Sequence, residues 1–154
     1  MRSLERDLFY FMPPTAYTAT PLAKKLGLKD GYTVRLHGEP EYYRSLFTDW
    51  PAVVVENNPA QKKNLVHFFT KDAEELHHYL PLLKEEIVDN GILWISWPKK
   101  ASKVPTDLTE DVIRQLALAN GLVDVKVCAI DAVWSGLKLV IPVKNRVQKD
   151  NKRI

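Results

Sequence analysis

Apolar residues in this chain fall in short blocks separated by turn residues, and the blocks alternate between strand-like runs and helical stripes. Thr20 followed by Pro21 predicts a helix start, with a hydroxyl cap and proline at the first helical position, and Gly27 stops the helix after Leu26. Lys29-Asp30-Gly31 marks a turn, and Tyr32 to His37 reads as the first strand. His37-Gly38-Glu39-Pro40 then leads into a helical segment holding Tyr42, Tyr43, Leu46 and Phe47. Ala52 to Val55 and Leu65 to Thr70 are two further strand-like runs.

The second half repeats the alternation. Asp72 with Glu75 predicts a capping pair ahead of a helix whose Leu76, Leu80, Leu83 and Ile87 share one face. Pro81 lies inside it, so a kink or break is expected near His78 or Tyr79, with Asp89-Asn90-Gly91 ending the helix. Ile92 to Ile95 is wholly apolar, as suits a strand buried on both faces, and Pro98 ends it. Asp107 with Glu110 predicts a second capping pair, on a helix that buries Leu108, Val112, Ile113 and Leu116 and stops at Gly121. Val123 to Ile130 and Trp134 to Val143 pair as an antiparallel hairpin, with a bulge or slackened register at Ser135-Gly136. The order is that of an α/β, Rossmann-like three-layer sandwich, with a mostly parallel sheet ending in an antiparallel hairpin.

Size and composition narrow the picture. The 154 residues, 45% of them hydrophobic, suit one domain with a substantial core. Residues 20–143 read as that domain, 1–19 as an N-terminal arm and 144–154 as a basic tail. No apolar run approaches the roughly 18 residues that span a bilayer, so a cytoplasmic protein without membrane attachment is expected. Cys128 is the only cysteine and sits among apolar residues, where it packs as a small hydrophobe. The net charge of +3 is concentrated in the tail, which lacks aromatic residues for stacking on bases, so nucleic acid is not the expected partner. Adjacent His77 and His78 point apart on a helix and have no supporting ligand at metal-site spacing, so no metal is expected.

Candidate chemistry lies where strands end, because ligands of open α/β sheets bind outside the carboxyl ends of the strands. Ser96, Lys99, Lys100 and Ser102 fall at or beyond the end of the apolar strand and form a donor-rich loop suited to an anion. His37 and Gly38 occupy the turn where nucleotide-binding folds place a glycine-rich loop, and Glu56 follows Gly38 by 18 residues. That interval is close to the roughly 20 residues at which an acidic group meets a ribose. No motif specifies a reaction or a catalytic residue. The exposed face expected for Tyr42 and Tyr43 is a candidate surface for a homo-oligomer.

The segments Tyr17 to Gly27, Leu93 to Ser102, Thr106 to Val112, Gly121 to Val127 and Trp134 to Leu137 resemble a family of small bacterial proteins known only as a domain of unknown function. That resemblance implies no activity. More distantly, the order of a strand, a glycine turn and a helix, then Asp89 to Ile95 as a glycine-led strand and a closing hairpin, is similar to class I S-adenosylmethionine-dependent methyltransferases. Their cofactor loop carries several glycines where this chain has Gly38 alone, followed by Glu39 and Pro40. The residues therefore lead to two expectations. One is a non-catalytic module that binds a small anionic ligand or a protein partner at the carboxyl edge of the sheet. The other, implied by the resemblance, is a methyltransferase-like transferase using S-adenosylmethionine.

Overall fold

The computed structural model describes residues 20–146. The expected N-terminal arm and residues 147–154 of the basic tail lie outside them. Six strands make one sheet: β1 (Thr33–His37), β2 (Val54–Val55), β3 (Lys63–Phe69), β4 (Ile87–Pro98), β5 (Val123–Ala129) and β6 (Trp134–Val140). Their order is β2-β1-β3-β4-β6-β5, and every neighbouring pair is parallel except those made by β6. The expected Rossmann-like architecture is therefore present, with β6 as the antiparallel member.

Alternation along the central strands divides the core in two. On one face Val66, Phe68, Leu93, Ile95, Leu137 and Leu139 pack beneath α2 (Ala73–Glu86) and α3 (Glu110–Ala119). On the other, Leu65, Phe69 and Trp94 meet Leu26 of α1 (Leu22–Leu26) and Tyr43 of a 3₁₀ turn, Tyr43–Leu46. The connection from β1 to β2 runs over the α1 face, and the one from β3 to β4 runs over the α2 face. Opposite directions of travel with right-handed crossovers require this arrangement. The chain thus reverses its direction across the sheet between β1 and β3, which makes their carboxyl ends the topological switch point.

Several local expectations are corrected. Helix α1 is capped by Pro21 without a side-chain bond, so the Thr20 hydroxyl is not its cap. Asp72 does cap α2, accepting from the Glu74 backbone, but Glu75 does not complete a capping box because its carboxylate takes the Thr70 hydroxyl. Helix α2 passes through Pro81 unbroken, held by the buried stripe of Leu76, Leu80 and Leu83. It ends at Glu86 rather than at Asp89, because β4 begins at once with Ile87. Helix α3 starts at Glu110, capped by Thr109 on the Val112 backbone, while Asp107 reaches across to accept from the Ala73 backbone and joins the two helix starts. The hairpin register is regular at Ser135 and Gly136, and its irregularity falls at Asp124/Lys126. Gly136 is closely packed instead: a Cβ there would stand 3.1 Å from both Trp94 and Ile130. The basic tail begins inside the fold, where Arg146 Nε donates to the Ile141 carbonyl.

A buried ionic cluster ties the amino end of the sheet to α2. Lys63 has no exposed surface and donates to Glu86 Oε1 at 2.8 Å and to the Asn58 carbonyl, while Arg35 Nη1 donates to Glu86 Oε2. Burial alone would raise the Glu86 pKa, but hydrogen bonds from Lys63 and Arg35 outweigh it and hold the carboxyl below its ordinary value.

Candidate functional site

The residues singled out by sequence separate into two groups at the carboxyl edge of the sheet. His37, Gly38 and Glu56 sit at the ends of β1 and β2; Lys99, Lys100 and Ser102 follow β4. Because β3 lies between β1 and β4, the ends of those two strands are about 10 Å apart at ordinary strand spacing, and Glu56, at the end of β2, is one strand farther away.

In the first group, His37 stacks on Phe68 with ring centroids 4.6 Å apart and tilts against Tyr79 of α2. Burial, then the charge of Arg35, lowers its pKa, against the opposing pull of Glu75, Glu39 and Glu86. The imidazole is therefore neutral at physiological pH, in a setting with several carboxylates. Gly38 adopts φ +71°, and a Cβ on it would lie 2.5 Å from the Phe69 carbonyl oxygen. The glycine lets the β1 turn approach the end of β3 closely; the chain's own backbone occupies the space its missing side chain leaves. Glu56 follows β2, where its backbone N–H donates to the Val34 carbonyl. Its Oε2 accepts from the Asn58 backbone at 2.9 Å, which fixes the carboxylate at the strand end, and its Oε1 has no hydrogen-bond partner among the described residues.

The second group does not form the expected four-donor loop. Ser96 lies inside β4, fully buried, with its hydroxyl 2.8 Å from His67 Nε2. Ser102 closes its own turn, donating to the Lys99 carbonyl and accepting from the Val104 backbone. Lys99 is placed at the hairpin turn, its backbone N–H donating to the Val133 carbonyl. Lys100 alone of the four lines a cleft, of about 500 Å³, beside Trp97, Lys103 and Val104.

Sequence reasoning passed over the most buried polar constellation. His67 is sealed in β3, with Nδ1 2.9 Å from the Tyr43 hydroxyl and Nε2 on Ser96. Burial lowers its pKa to about 3, so it is neutral, with one ring nitrogen donating and the other accepting. A serine beside a histidine suggests nucleophilic chemistry, but both are inaccessible here and the trio joins β3, β4 and the turn after β1. The available signal was a histidine on the alternating period of an apolar strand. Tyr43 is 2% exposed, which removes it from the expected oligomer surface; Tyr42 is 43% exposed. Cys128 packs against the α1-side core, and burial raises its pKa. Among the described residues, no group of three or more His, Cys, Asp or Glu could hold a metal ion, and no helix is long and apolar enough to cross a membrane.

No family model matches the chain, and no curated protein matches it. Solved structures do. A putative type 11 methyltransferase from Sulfolobus solfataricus superposes with a TM-score of 0.57 at 15% identity, covering 83% of this chain and 94% of that one. A SAM-dependent methyltransferase from Aquifex aeolicus gives a TM-score of 0.54 at 17% identity, covering 78% and 87%. The fold is the Rossmann-like methyltransferase fold.

Proposed function

We propose that this chain is a methyltransferase-like transferase domain that takes S-adenosylmethionine at the carboxyl ends of β1 and β2. The observation that carries the reading is the β1/β3 switch point, with Glu56 fixed at the end of the strand beside it. When bound, the cofactor would supply an electrophilic methyl group on a sulfonium. The side chains present suit such a group: Glu56 would accept hydrogen bonds from ribose hydroxyls through Oε1, and Glu39 and Glu75, whose charges already act on His37, would favour a ligand bearing sulfonium and ammonium cations. The same acidic field disfavours a simple anion at Gly38.

Calorimetric titration with S-adenosylhomocysteine, the demethylated product, should give one saturable site. Glu56→Ala should weaken it by about tenfold, the usual scale for losing a hydrogen bond to a charged group. A second reading, a binding module that keeps the fold without transfer, is favoured by the contact of Gly38 with the Phe69 carbonyl, which uses the glycine for packing. Under it the titration is silent, and Glu56→Ala changes nothing.

A further inference from the structure

The cleft after β4 has its own recognition chemistry. Trp97 lines it and is only 7% exposed. The indole nitrogen of Trp97 is neither sealed from solvent nor hydrogen-bonded, whereas that of Trp94 donates to the Leu26 carbonyl at 2.8 Å. Tryptophans buried to this degree ordinarily find an acceptor for the N–H. Beside it stand Lys100 and Lys103, and neither has an ion-pair partner among the described residues. Glu110 also lines the cleft, but its carboxylate is engaged by Arg114, which bonds Asp111 and Asp124 as well. The remaining walls include Pro98, Val104, Pro105 and Leu108.

Lys103 supplies a second observation. At φ +63° it is the one non-glycine residue with positive φ among the described residues. Glycine would occupy that conformation at lower free energy, so a lysine stands there at a conformational disadvantage. Two ammonium groups without ion-pair partners and an indole N–H without an acceptor, on residues that line one cleft with apolar walls, match a ligand with one compact negative charge and an apolar body.

We propose that this cleft binds a small apolar monocarboxylate, its carboxylate held by Lys100, Lys103 and the Trp97 indole N–H. The site does not depend on the transferase reading, and it stands if S-adenosylhomocysteine does not bind.

The test uses ¹⁵N-labelled protein, in which four tryptophans give separate indole N–H resonances, with Trp97→Phe to assign one of them. The probe is 2-naphthoate, and 2-naphthylmethanol is the uncharged control. The Trp97 resonance should move saturably with millimolar naphthoate while that of Trp94 stays in place. The alcohol should leave both in place. Lys100→Ala and Lys103→Gly should each weaken naphthoate by about tenfold. Lys103→Gly should also melt no lower than the parent protein, since it relieves the left-handed backbone, and this separates lost binding from lost folding. A Trp97 resonance unmoved by naphthoate, equal movement with the alcohol, or unchanged affinity in Lys103→Gly overturns the proposal.

Discussion

His67 is held neutral between Tyr43 and Ser96 in a site closed to water, and that makes it a source of acid sensitivity. Its folded pKa, about 3, lies below the ordinary 6.5, so the unfolded chain binds a proton that the folded chain refuses. The stability this represents is complete above pH 6.5 and is lost as pH falls toward 3, at up to about 1.4 kcal/mol per pH unit. His67→Gln retains hydrogen-bonding capacity but cannot titrate. Urea denaturation at a series of pH values should show a shallower decline for the variant across that window; parallel curves would mean that His67 is not the titrating group. Gly38 is the other decisive single position. With φ +71° and a Cβ site 2.5 Å from the Phe69 oxygen, Gly38→Ala should lower stability by roughly 2–4 kcal/mol. A loss below 0.5 kcal/mol, on the scale of ordinary surface changes, would show that the turn relaxes away from β3. A glycine is visible in a sequence, but its reason is not: the oxygen that excludes a side chain at 38 belongs to residue 69.

Among the elements, α2 shows what pattern can and cannot reveal. Leu76, Leu80 and Leu83 were legible as one buried face because period alone places them there, whereas Ile87, expected on the same face, opens β4 instead. Of the kink or break expected at Pro81, the break does not occur, because local propensity competes with burial and burial prevailed. The capping pairs failed for a related reason: Glu75 and Asp107 have the right spacing for a local bond but find partners from other segments, at Thr70 and Ala73. The true cap of α3 is Thr109, and Thr109→Ala should lower stability by about 0.5–2 kcal/mol. Glu86 should matter more. It is the shared carboxylate of the buried Lys63 and of Arg35, and Glu86→Gln leaves both cations uncompensated, at roughly 3–5 kcal/mol near neutral pH. Because its folded pKa lies below 4.5, the wild-type contribution is present above that value and lost as pH falls through the lower one. The deficit of Glu86→Gln should therefore shrink in acid, as denaturation midpoints at pH 7 and pH 3 would show; an equal deficit at both would contradict the ionic account.

At the scale of the whole molecule, the alternation of strands and helices was enough to reach the sheet and its antiparallel member, since short connections and right-handed crossovers leave few ways to assemble those elements. The site was less legible. Ser96, Lys99, Lys100 and Ser102 are close in sequence, yet the fold sends one inward, ties the backbone of another to Val133 and uses a third to close its loop. Glu56 and Gly38 are distant in sequence and are brought to the same edge only by the parallel pairing of β1 with β2. Binding of an adenosyl ligand at this edge is what the proposed function requires. Native mass spectrometry of the wild-type chain with S-adenosylhomocysteine tests it most directly. The expected result is a one-to-one complex that disappears on denaturation and is diminished in Glu56→Ala. A spectrum of bare protein at millimolar ligand, with fold and mass intact, would contradict it and leave the methyltransferase fold serving a different purpose.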